Sequence, residues 1–159
     1  MDRIGLEILH QELLADARVL QDAARAARER MTQAFSGSSE ACGYQLNRFY
    51  NIIERGFGRI CESFENHFEK RGDYHEKLIL RMTISLPGIR PAFLPAECVE
   101  SLRELKGFRH IFRHAYDLTL YPDRLELLLN HAEELAAGQS KRIECFIREV
   151  QSNISSDTP

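Results

Sequence analysis

The apolar residues of this chain recur in steps of three and four, segment after segment. From Asp2 to Ala34 they fall at Leu6, Leu9, Leu13, Ala17, Leu20, Ala24, Ala27 and Met31. Such steps keep one face of a 3.6-residue helix apolar, whereas a strand needs steps of two. Glu7, Asp16, Asp22, Arg25 and Arg28 stand between them as a solvated face. Alanines at 23, 24 and 27 add helix propensity and permit close packing. After the loop Ser36-Gly37-Ser38-Ser39, a second stripe follows at Leu46, Phe49, Ile53, Phe57, Ile60, Phe64 and Phe68. Its aromatic rings read as core rather than as platforms for nucleobases. Gly56 and Gly58 lie inside it and point to the close approach of another helix. Arg71-Gly72-Asp73 reads as a C-cap glycine followed by an N-cap aspartate, not as an adhesion motif.

The remaining helices are delimited by proline. Tyr74 to Leu86 forms a short one, which Pro87-Gly88 stops, and Pro91 and Pro95 keep the next stretch irregular. Pro95-Ala96-Glu97 opens a fourth, with its stripe at Val99, Leu102, Leu105, Phe108 and Phe112. The last, beyond Tyr121-Pro122-Asp123, carries Leu125, Leu128, Ala132, Leu135, Gln139, Ile143, Phe146 and Val150 and frays from Ser152. No segment alternates as a strand does. The pattern predicts an all-α, up-down bundle of about five helices. It makes one domain over residues 1–153, with a polar, flexible tail at 154–159. A chain of 159 residues buries enough surface to need no disulfide or metal staple.

No apolar run nears the roughly 20 residues that span a bilayer, and the N-terminus lacks the apolar core of a signal peptide. Cys42, Cys61, Cys98 and Cys145 are widely spaced, with no pairing of the metal-binding kind. They read as reduced thiols, and the expected compartment is the cytoplasm. The net charge of −3 excludes a surface coated with cations for nucleic acid. It does not exclude a local basic patch. Arg103, Lys106, Arg109 and Arg113, with His110 and His114, face one acid, Glu104, within a single stretch of helix. Cations also suit a helix C-terminus, so dipole complement and anion site are both open readings. Arg48, Arg55 and Arg59 form a second basic row, which lines a groove or merely keeps its helix soluble.

Histidine can give or take a proton near neutrality, and arginine's planar fork holds phosphate while staying charged. Together they suffice for metal-free cleavage of RNA. The 2′-OH must lose a proton, the leaving 5′-oxygen must gain one, and phosphorane charge must be met. Arg109 and His114 are five residues apart, about 140° around a straight helix. They converge only if the arginine wraps round, the helix bends, or a second subunit shares the pocket. His110 and His114 share a face at i, i+4, a spacing that also suits zinc. The surrounding cations and the missing Glu after the first His oppose a metal. No nucleophile elbow, P-loop or dinucleotide fingerprint is present.

The octapeptide Arg109-His-Ile-Phe-Arg-His114-Ala-Tyr116 resembles the R-x4-H-x-Y pattern of the HEPN superfamily, specifically of its HepT-like toxins. The order of helices is similar over most of the chain. One departure is His110, where family members often carry Asn. The resemblance implies a metal-independent ribonuclease toxin with no cofactor, acting as a homodimer whose motif helices meet at a cleft. Arg109 would hold the scissile phosphate and His114 would be the general acid and base, with His110 supporting or orienting. Lys106 and Arg113 are candidates for contact with the RNA backbone. Tyr116 resembles the tyrosine that a partner nucleotidyltransferase antitoxin of the MNT type modifies with AMP from ATP. Such toxin and antitoxin pairs can form larger complexes. The competing readings are a non-catalytic module that holds RNA, a nucleotide or a protein in the same basic cleft, and a purely structural dimerisation protein.

Overall fold

Five α-helices run through the described residues of the computed structural model, which are 2–33, 35–65, 73–114 and 118–156. They are α1 (Arg3–Thr32), α2 (Ser38–Phe64), α3 (Tyr74–Met82), α4 (Cys98–His114) and α5 (Pro122–Ser156). No β-strand occurs among these residues; the one β-bridge pairs Leu86 with Arg90. The architecture is the all-α bundle that the stripes predict.

Asp2 starts α1 by accepting the Gly5 N–H at 2.7 Å, and Gly37 starts α2 from a left-handed backbone (φ 92°). The connection is short, and Glu12 pairs with Arg59 while Asp16 pairs with Arg55 one turn on. The two helices therefore run antiparallel. α5 covers α1 in the same sense. Near one end of the bundle Arg28 reaches Glu126, Asn130 and Glu133; at the other, Ile4 and Leu6 approach Gln151 and Ile154. The stripes of all three helices are buried, from Leu6 to Ala27, from Leu46 to Ile60 and from Leu125 to Val150. Each fully buried Leu, Ile or Phe contributes about 1.5–3 kcal/mol. α4 lies against α2 and α5, and α3 fills the corner between α2 and α4.

Several boundaries differ from the sequence expectation. α3 stops at Met82 rather than Leu86, because the Met82 carbonyl accepts the N–H groups of Phe93 and Leu94, both at 2.9 Å. α4 starts at Cys98, since Pro95–Glu97 forms a turn closed by Cys98 N–H to Pro95 O and Val99 N–H to Ala96 O. α5 continues to Ser156, into the segment expected as a tail; no breaker stands before Pro159. Asp73 occupies the N-cap position of α3 without a side-chain bond. Phe68, Arg71 and Gly72 lie outside the described residues. Gly56 and Gly58 do not mark a close helix approach: a Cβ there would make ordinary contact, or nearly so, with Leu13 or Tyr74. The close approach is at Gly43.

The linker between α3 and α4 is held by a charge with no solvent contact. Leu86-Pro87-Gly88-Ile89 turns with Gly88 at φ 73°, the place where such a turn requires glycine. Arg90, whose side chain is fully buried, then donates to Glu65 through Nε at 2.9 Å and Nη2 at 2.8 Å. It also donates to the carbonyls of Arg81, Ile84 and Pro91. This knot ties the end of α2 to the linker that delivers α4. The four cysteines are free. Burial pushes the thiols of Cys42 and Cys61 up to about 11, so both stay protonated at neutral pH.

Candidate functional site

The residues of interest lie on the second half of α4. Leu102 and Leu105 anchor its first half in the core. Further on, Phe108 and Phe112 stack with centroids 5.4 Å apart and face α2 at Gly43. A Cβ at Gly43 would stand 2.7 Å from the Phe112 ring. Glycine there is what lets the motif half of α4 approach α2.

Arg109 falls on this inward side, and its side chain is only 14% exposed. Its Nε donates to Asn51 Oδ1 at 2.6 Å, and its guanidinium lies 5.7 Å from the centre of the Tyr50 ring. Nη2 is 3.7 Å from Glu54 Oε2, an ion-pair distance rather than a hydrogen bond. The other Glu54 oxygen is 3.0 Å from His75 Nδ1. Tyr50 is buried, which raises its phenol well above the usual range, with Glu54 adding to the shift and Arg109 opposing it. Arg109 thus borders a cleft of about 350 Å³, walled also by Asn51, Glu54, Arg55, Arg59 and Tyr74.

His110, Arg113 and His114 are exposed, on the outer side of the helix. The two imidazoles lie 4.8 Å apart, and His114 Nδ1 is 2.8 Å from the His110 carbonyl oxygen. A carbonyl only accepts, so Nδ1 carries the proton, and this contact selects the tautomer whose lone pair is on Nε2. That is the form a general base needs. Among the described residues no cluster of three His, Cys, Asp or Glu could hold a metal ion. Lys106 ends on Glu76, which Arg103 also engages. Those two cations hold the Glu76 carboxyl below its usual range. Within one chain, therefore, Arg109 and His114 sit on different sides of α4 and do not share a pocket. Tyr116 lies outside the described residues.

Three residues beside Arg109 escaped the sequence reading: Asn51, Glu54 and His75. Asn51 is 58 positions from its partner, and no spacing rule links one helix to another at that distance. His75 has no partner in sequence but finds Glu54 in space. The basic row of α2 also resolves. Arg55 and Arg59 are paired with Glu12 and Asp16, and Arg48 bonds Gln45.

A family model described as HepT-like protein matches residues 41–150, well over half of the chain. The chain belongs to the HepT-like family. That family is one of HEPN-type ribonucleases. The match takes in α3, α4 and most of α2 and α5, and so spans the octapeptide from Arg109 to Tyr116. No curated protein and no solved structure matches the chain.

Proposed function

We propose that this HepT-like protein is a metal-independent ribonuclease toxin whose catalytic pair is Arg109 and His114. The observation that carries the reading is the family match across α4, the helix on which one arginine is held inward and two histidines stand open. In the proposed reaction a neutral imidazole nitrogen, His114 Nε2, takes the proton of a ribose 2′-OH. The 2′-oxygen bonds to phosphorus, the bond from phosphorus to the 5′-oxygen breaks, and that oxygen gains a proton from an imidazolium. The products are a 2′,3′-cyclic phosphate and a 5′-OH. Arg109 neutralises charge that develops on the phosphate oxygens. His110, beside His114, orients it or shares its proton; Arg113 meets the RNA backbone, as does Lys106 to the extent that Glu76 releases it.

The reading requires two copies. One chain separates Arg109 from His114, and a dimer joined across the motif helices can bring the two into one cleft. Exposed Ile111 and Tyr121 supply apolar surface on this side of the protein. Control would come from a nucleotidyltransferase antitoxin that moves AMP from ATP to the Tyr116 hydroxyl and releases pyrophosphate. The adduct adds bulk and a phosphate two residues from His114, where it obstructs the cleft and competes for Arg109.

The test is cleavage of RNA by the purified protein in EDTA, with cyclic-phosphate ends on the product. Arg109→Ala and His114→Ala should each abolish it; cleavage that survives both removes the proposal. For control, the protein with its partner and ATP should gain one AMP mass or more. An equal yield of adduct on Tyr116→Phe protein rules that tyrosine out.

A further inference from the structure

We propose that Asn51 is the positioning residue for Arg109, setting its guanidinium to hold a phosphate of RNA; this rests on the reading just given. Asn51 Oδ1 takes the Arg109 Nε proton at 2.6 Å, and the Tyr50 ring lies 5.7 Å from the guanidinium carbon. With Nε committed to Asn51, the edge left for a bidentate contact is the one formed by the two terminal nitrogens. An arginine ordered in advance loses less freedom when it binds.

The chemistry of the partner matters. A carboxylate in a bidentate pair with Arg109 would occupy the nitrogens that phosphate needs. An amide oxygen on Nε fixes direction and leaves the terminal nitrogens to phosphate. Glu54, the carboxylate at ion-pair distance from Arg109, stands off at 3.7 Å, and its other oxygen lies 3.0 Å from His75 Nδ1. Packing does not explain Asn51 either. It is exposed in the middle of α2, where asparagine is a poorer helix former than alanine. Its contact with Arg109 is the role left for it.

The experiment compares native protein with Asn51→Ala and Asn51→Asp. The readouts are the Arg109 Nε–H signal by NMR, identified by its loss in Arg109→Lys, and binding of a 2′-O-methyl oligoribonucleotide that cannot be cleaved. Asn51→Ala should keep or raise the melting temperature, speed Nε–H exchange and weaken binding about tenfold. Asn51→Asp should keep the slow exchange, because an oxygen remains, and weaken binding through its added charge. Unchanged exchange or unchanged affinity in Asn51→Ala overturns the proposal, as does a native protein that does not bind the probe. A native protein that binds the probe but cleaves no natural RNA sinks the ribonuclease reading alone, and the comparison of variants still decides what Asn51 does.

Discussion

Arg103 and Lys106, in the first half of α4, both end on Glu76 of α3, whereas Arg113 and His114, two turns further on, have no carboxylate partner among the described residues. Arg109 stands between, drawn inward to the Asn51 amide with Glu54 at ion-pair distance. By sequence these residues form one basic cluster. In space they do three things: the first pair docks α3 on α4, the middle arginine faces a cleft, and the last pair is open to whatever approaches. A charge count along a helix says nothing of this division, because carboxylates from elsewhere in the chain decide which cations stay uncompensated.

Substitutions should separate the two halves most sharply in catalysis. His114→Ala removes an exposed ring, so its melting temperature should match native protein, while RNA cleavage should drop by about 10²–10⁴-fold. Glu76→Gln should do the reverse, costing some stability without loss of cleavage. Gel assays of cleavage beside thermal melts check both. Comparable loss of cleavage from the two variants would erase the distinction between the halves.

The next effect concerns how α4 is delivered to its place. Glu65→Ala strands the Arg90 guanidinium, which is fully buried and has no second carboxylate among the described residues. Removing one partner of a buried pair costs about 3–5 kcal/mol. Urea titration should read that loss. Glu65→Gln, which keeps an acceptor for Arg90, should lose less.

Gly43→Ala tests the motif half alone. The new methyl must displace the Phe112 ring, at about 1–3 kcal/mol for overpacking. Phe112 sits between Ile111 and Arg113, so cleavage should fall too. Phe112→Leu combined with Gly43→Ala should recover part of both losses, by denaturant titration and rate. Failure to recover either would place the strain elsewhere.

Much of the bundle was legible because burial is periodic. Leu13, Phe49 and Leu128 each belong to a stripe that had to find a partner. What was not legible depends on meetings between helices. Gly43 lies among ordinary α2 residues, and only the Phe112 and Phe108 rings distinguish it from Gly56. Arg90 follows Gly88 in a proline-rich stretch that reads as an irregular connection, yet its side chain is the most deeply buried cation described. The motif named Arg109 and His114, but the octapeptide does not contain Asn51 or Glu54, which decide where the arginine points. A local pattern names candidate groups. The shell that orients them is assembled from other helices and carries no spacing signature.

The smallest expected effect is a pH dependence confined to the first half of α4. Lys106 and Arg103 lower the Glu76 carboxyl in the folded protein, through hydrogen bonds above all. A depressed carboxylate contributes stability above its unfolded value of about 4.3, and that contribution is lost as pH falls through the folded value. Glu76→Gln lacks it at every pH. Native and variant melting temperatures should therefore differ at pH 7, by at most about 3 °C for a partly solvated ion pair, and converge in acid. High salt at pH 7 should narrow the gap as well. A gap that persists unchanged at low pH would mean that Glu76 supports α3 through packing or neutral hydrogen bonds. The cations of the first half would then not be held by charge, and their contrast with Arg113 and His114 would rest on geometry alone.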